Sequence, residues 1–268
     1  MEIIKPRLLK EGDTIGILAP SGAMEDDTNL KRAIEFFEHR GYKVKLSDNL
    51  YSKNRYLAGT DEERLDALHK MFADTSVNVI ICLRGGYGAI RIINKINYDL
   101  IRQNPKIFCG YSDITALNAM FLKRAGLATF SGPMILSDFG QENLCEYTIN
   151  KFFETVMTGR FEYEGVFWGG NLSTLVSLCG QDFIPDFEFT LFLEDLNEPP
   201  YKIDKMVTQL FNIDKIRENT KAIAIGDFLG ADDIDYIFED LNFPLIKNFP
   251  ASHSDKKATI PYGFTSTF

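Results

Sequence analysis

Three short stretches limit what this chain can fold into: "DTIGILAP" (residues 13–20), "VNVIICL" (77–83) and "KIFCG" (106–110). Each reads as a strand, and none alternates apolar with polar residues. A strand of this kind has no polar face to give to water, so both of its faces must be covered. The segments between supply the cover. "DDTNLKRAIEFFEHRG" (26–41) reads as a helix stopped by Gly41, "YKVKLSD" (42–48) as a further strand, and "TDEERLDALHKMFAD" (60–74) as an amphipathic helix. Helical patterns also follow the second and third apolar runs. Strand and helix in alternation predict an α/β fold built on a mostly parallel sheet with helices on both faces.

Beyond residue 150 the texture changes. "RFEYEGVFWGGNLSTLVSLCG" (160–180) mixes aromatics with glycines, and "FTLFLEDL" (189–196) and "KAIAIGDFLG" (221–230) read as strands around the helix "YKIDKMVTQLFN" (201–212). This places a boundary between an α/β domain over residues 1–157 and a β-rich domain over 165–268. The 268 residues carry 29 basic and 38 acidic side chains, a formal net charge of −9. That balance argues against nucleic acid or an anionic membrane as the main partner, since both need a basic footprint. No apolar run reaches the roughly 18 residues of a membrane span, and the start lacks a signal-peptide core. The four cysteines are scattered without a CxxC pair, and Cys82 and Cys109 lie inside apolar runs as small hydrophobes. A cytoplasmic location is expected.

The chemistry-bearing positions are few. In "KIFCGYSDITALNAMF" (106–121) an apolar strand breaks at Gly110-Tyr111, presents Ser112 and turns into a helix. Strand, tight turn, serine, helix is the layout of a nucleophile elbow. A serine there is equally an ordinary helix N-cap, and Ile114 departs from the G-x-S-x-G signature. "LRGGYG" (83–88) follows a strand and opens a helix. Gly85, Gly86 and Gly88 could cradle a phosphate, though neither Gly-Lys-Ser/Thr nor a full G-x-G-x-x-G is present. They could instead bring backbone N–H groups up to a reacting oxygen. Of the three histidines, His39 and His69 fall in amphipathic helices and read as solvated. His253, in the loop "NFPASHSDKKATIPYG", is then the base by elimination if a histidine base is used. Glu194 lies at the carboxyl end of an apolar strand, where α/β folds gather their sites. Glu198, just before Pro199-Pro200, has a sufficient explanation as a helix-start acid, and Asp195 reads as a turn residue. No metal-binding constellation is visible, and no cofactor is expected.

Taken together, "ILAPSG", "LRGGYGAIRII", "GYSDITALN", "GGNLSTL", "LFLEDLNEPPYKIDK" and "FPASHSDKKATIPYG" occur in the order seen in LD-carboxypeptidases. The chain resembles this family of serine peptidases, which includes muramoyltetrapeptide carboxypeptidases and microcin C immunity peptidases, over residues 8 to 265. The resemblance implies a flavodoxin-like N-terminal domain, a β-rich C-terminal domain, a site between them and a homodimer. It also implies a triad of Ser112, Glu194 and His253, and release of D-Ala from a murein tetrapeptide during wall recycling. Ser112 is then expected both to cap its helix and to attack. Asp113 is expected to fix the turn through local backbone, and the N–H groups of Gly86 and Asp113 to bind the oxyanion. Arg84 is a candidate for the substrate's free carboxylate, with a structural ion pair as the alternative. The chain is shorter than usual members around residues 155 to 180, and Ser254 stands where many have glycine.

Two other functions compete with this one. A related amidase acting on a peptide-nucleotide conjugate would need an aromatic or apolar acceptor surface, for which Trp168 is the single tryptophan. A non-catalytic nucleotide-binding protein would place Gly85, Gly86 and Gly88 around phosphate.

Overall fold

A computed structural model describes residues 2–264. The first half alternates as the apolar runs require: β1 (Thr14–Leu18), α1 (Thr28–His39), β2 (Lys43–Leu46), α2 (Asp61–Ala73), β3 (Val79–Cys82), α3 (Ala89–Ile92), α4 (Tyr98–Gln103), β4 (Ile107–Cys109), α5 (Thr115–Met120), β5 (Phe130–Ser131) and α6 (Glu146–Thr158). Every residue of β3 and β4 is buried, as strands covered on both faces must be. Edge strand β2 instead exposes Lys43 and Lys45, charges that discourage pairing with another chain. Helix α2 starts on a reciprocal cap: the Thr60 side chain accepts the Glu63 N–H, and the Glu63 carboxylate accepts the Thr60 N–H.

The second half runs β6 (Phe167–Asn171), α7 (Leu172–Ser177), β7 (Phe189–Leu196), α8 (Pro200–Phe211), α9 (Asp214–Asn219), β8 (Thr220–Leu229), α10 (Asp235–Glu239), β9 (Leu245–Ile246) and β10 (Ile260–Pro261). The first sheet has the order β10-β5-β4-β3-β1-β2. Apart from antiparallel β10 its strands are parallel, so β2-β1-β3-β4-β5 is the flavodoxin-like order expected. The second sheet, β6-β7-β8-β9, is parallel throughout. The β-rich half is therefore another strand-and-helix alternation.

The two sheets share one apolar core. Phe108 from the first, with Phe121 just beyond α5, belongs to the same buried cluster as Trp168, Leu191 and Phe192 from the second. A second cluster, with Phe36, Phe37, Phe139 and Phe152, fills the space under α1. The chain also crosses back late. The Phe249 N–H donates to the Ile225 carbonyl (2.9 Å) and the Asp227 N–H to the Ala251 carbonyl (3.1 Å), which holds this segment against β8. A few residues later Ile260 pairs with Ser131 of the first sheet. The stretch between, with His253 in it, spans from one sheet to the other.

Candidate active site

In a doubly wound sheet the crevice opens where neighbouring strands send their connections to opposite faces, at the strands' carboxyl ends. Here that point lies between β1 and β3. The loops leaving β1, β3 and β4 carry Ser21, the 84–88 glycine loop and Ser112, and they touch. Ser112 has φ +59°, the left-handed region that is uncommon and costly for a side chain larger than glycine. The strained turn lifts the half-buried hydroxyl out of the path of the chain, as in a nucleophile elbow. No side-chain cap forms at the helical turn it begins or at α5, so the expected capping role of Ser112 is not met.

The glycine loop lies directly over the serine. A Cβ on Gly85 would come within 2.8 Å of the Ser112 Cβ and 3.0 Å of its Oγ. Only a residue without a side chain lets the loop approach that closely. Gly86 has φ +109°. Among the described residues its N–H and that of Asp113 donate to no turn or loop carbonyl. The Asp113 carboxylate does not bond local backbone as expected. Its Oδ2 accepts the Ala89 N–H (2.8 Å) and the buried Ser21 hydroxyl, joining three loops. Burial raises the Asp113 pKa, against the opposing effect of those bonds.

Arg64 braces the same loop from below. The sequence hides this role, because Arg64 lies on α2 among charged neighbours. It nevertheless continues the buried stripe of Leu68 and Met71, a position that charge takes only when most of its donors are partnered; here Nε alone is left without a hydrogen bond among the described residues. Its Nη1 donates to the carbonyls of Pro20 (2.7 Å) and Gly88 (2.8 Å), and Nη2 to Asp61 (2.6 Å).

The second sheet supplies the other candidates. Glu194 sits two residues inside the end of β7, opposite a register shift in its pairing with β8. Bulges of this kind re-aim side chains beside active sites. The carboxylate is 3% exposed, and its Oε2 lies 2.7 Å from His253 Nδ1. With Nδ1 engaged, Nε2 is the ring nitrogen left for the cleft. Burial lowers the His253 pKa, but the hydrogen bond and charge of Glu194 outweigh it, and the net shift is upward from 6.5. A Cβ on Gly226 would fall 2.1 Å from the Ala251 carbonyl oxygen and 3.1 Å from the Glu194 Cβ. This glycine therefore admits the histidine segment to the acid.

Ser112 and His253 line one cleft of about 340 Å³, together with Arg84, Gly86, Tyr111 and Leu196. The His253 ring stands edge-on to Tyr111, with centroids 5.1 Å apart. Arg84 donates to the Ala23 carbonyl (3.2 Å) and makes no close ion pair among the described residues, though its charge also acts on Glu25. A larger depression of about 760 Å³, lined by Asp227, Asp232, Asp233 and Asp235, holds none of the candidates.

The remaining positions resolve as follows. Glu198 lies just before α8 and pairs with Lys202 of its first turn at 3.3 Å, a local role, though through an ion pair rather than a place in the first turn. Asp195 is no turn residue. It is buried and accepts from Asn171 Nδ2 (2.9 Å) and the Ser173 N–H (2.8 Å), tying β7 to the start of α7. His39 is exposed, whereas His69 is half-buried and accepts the Asn97 N–H (2.9 Å). Trp168 is fully buried and offers no surface to a ligand. Among the described residues no group of three or more His, Cys, Asp or Glu is placed to hold a metal ion.

Comparison with known proteins gives a consistent picture. A probable murein peptide carboxypeptidase of Bacillus subtilis (strain 168) is 36% identical over 288 residues, covering 97% of this chain and 89% of that protein. The crystal structure of muramoyltetrapeptide carboxypeptidase from Oxalobacter formigenes superposes with a TM-score of 0.83 at 31% identity, covering 93% and 92% of the two chains. The microcin C7 self-immunity protein of Escherichia coli is 26% identical, covering 95% of this chain and 90% of that one. Residues 15–132 match the LD-carboxypeptidase N-terminal domain and residues 164–268 the LD-carboxypeptidase C-terminal domain. The chain belongs to the LD-carboxypeptidase family, peptidase family S66.

Proposed function

We propose that the protein is a serine LD-carboxypeptidase that removes a terminal D-amino acid, D-Ala, from murein tetrapeptides in the cytoplasm. The observation that carries this reading is the 2.7 Å bond between Glu194 and His253 Nδ1, in a cleft that His253 shares with Ser112 at its strained turn. Ser112 Oγ attacks the carbonyl that joins the penultimate residue to D-Ala. His253 Nε2 takes the hydroxyl proton and returns it to the leaving amine. Glu194 fixes the tautomer and stabilises the imidazolium. The N–H groups of Gly86 and Asp113 receive the oxyanion, each worth roughly 3–4 kcal/mol by the usual measure of such holes. Water, activated by the same histidine, then releases the acyl-enzyme. Arg84, which lines the cleft and makes no close ion pair among the described residues, grips the free carboxylate that marks a carboxypeptidase substrate.

The rival peptide-nucleotide amidase finds less support. Its natural acceptor surface, Trp168, is fully buried. The test is mass spectrometry after incubation with a murein tetrapeptide ending in D-Ala and with the same peptide ending in L-Ala. Loss of D-Ala alone is expected. Equal cleavage of both, or release of an internal fragment, rejects the reading.

A further inference from the structure

The triad base sits on a loop, and loops hold catalytic geometry poorly unless something fixes them. Lys257 is four residues beyond His253. Its ammonium is 4% exposed and ion-paired with Asp138, itself 3% exposed, on a wide helical turn (residues 135–139) beside α1. The other Asp138 oxygen accepts the Met134 N–H and the Ser137 hydroxyl, both at 2.8 Å. Ser137 Oγ in turn accepts the Tyr111 hydroxyl at 3.1 Å. Burial pushes the Tyr111 phenol well up, so it stays protonated and able to donate. The Lys257 ammonium also lies 4.7 Å from the Tyr111 ring centre. The circuit closes on itself: His253 against Tyr111, Tyr111 to Ser137, Ser137 to Asp138, Asp138 to Lys257, and Lys257 along the chain to His253.

We infer that the Lys257–Asp138 pair positions the catalytic base, clamping the His253 segment to the turn that carries Ser112. The inference rests on the triad proposed above. A buried ion pair commonly adds little stability over apolar residues of similar volume, and its best-attested use is to fix one arrangement among several. Here the arrangement joins the two sheets at the point where proton transfer must occur. Lys257 also acts on the base electrostatically. The charged or titratable groups acting on His253 are Glu194 and Asp195 from β7, Lys257 from its own segment and Tyr111 after β4, with Arg84 lining the same cleft. Among them Lys257 opposes protonation of the ring.

The test compares wild type, Ser112→Ala and the double variant Lys257→Met/Asp138→Leu on a murein tetrapeptide, with melting curves. The double variant removes both charges together, so neither is left buried alone. The expected result is a folded protein with kcat lower by about tenfold or more, KM within about twofold, and the acid limb of kcat/KM moved to higher pH. A folded double variant with wild-type kcat and an unmoved limb overturns the inference, as does a change in KM alone. Ser137→Ala carries the test if the double variant does not fold: it cuts the link between Tyr111 and Asp138, and because Ser137 also lines the cleft the acid limb and KM are read beside kcat. A kcat loss of about threefold or more is expected there, and wild-type kcat overturns the inference. Ser112→Ala separates the two claims: turnover retained by that variant rejects the triad itself, whatever the clamp does.

Discussion

Replacing Ser112 by alanine removes the proposed nucleophile and little else. The hydroxyl caps no helix, so the variant is expected to melt within a few degrees of wild type and to show background turnover only. Near-normal turnover sinks the assignment. Glu194 and Glu198 give a sharper pair. Glu194→Gln removes the charge bonded to His253, and kcat should fall on the order of 10²–10⁴-fold. Glu198→Gln breaks a half-buried bridge to the exposed Lys202 and should cost no more than about 1 kcal/mol with little effect on rate. Rate loss in Glu198→Gln alone would mean that the acid is misplaced. The pH profile follows from the same bond. The imidazole must be neutral to accept the serine proton, so kcat/KM falls as pH drops through the His253 pKa. That pKa is raised, so the acid limb should lie above 6.5 in wild type and move down in Glu194→Gln, where burial loses its main opponent. A limb that does not move would contradict the pairing.

At the scale of elements, the register shift between β7 and β8 holds acid and base together. Gly226→Ala should drive the Ala251 carbonyl away from a Cβ it would otherwise meet at 2.1 Å. A displacement of about 1 Å at His253 costs on the order of 10²-fold in rate. A single-turnover assay that finds wild-type rates would show that the segment tolerates the shift. The elements themselves were mostly legible in the sequence. "FTLFLEDL" is β7 residue for residue, and "VNVIICL" contains β3, because strands buried on both faces leave uninterrupted apolar runs. Strand β10 was not legible. Two residues, one a proline, pair with a strand far back in the chain, and no local pattern reports that. The site divides in the same way. Ser112, Glu194 and His253 stand in motifs that carry the family resemblance, although the local pattern alone leaves Ser112 equally a helix cap. Arg64, Asp138 and Lys257 are charges whose burial depends on partners distant in sequence, so each looks like a surface residue until the fold is known.

The whole molecule assembles its cleft from a mostly parallel and a parallel sheet that share one core. Because the described residues offer no cluster of metal-binding side chains, turnover is expected to persist in excess EDTA. Loss of activity restored by zinc would reject the serine mechanism. The crossing of residues 251–260 from the second sheet to the first also bears on synthesis. A chain made from its amino terminus presents Ser112 early, but the helix behind it packs into the core shared with the second sheet, so the elbow is fully supported only once that sheet is present. On the proposed triad, Ser112 lacks its base until the His253 segment is made and docked, and a partly made chain is expected to be inactive. The peptidase becomes competent only when the segment carrying His253 has docked, so the order of residues along the chain delays activity until assembly is nearly complete.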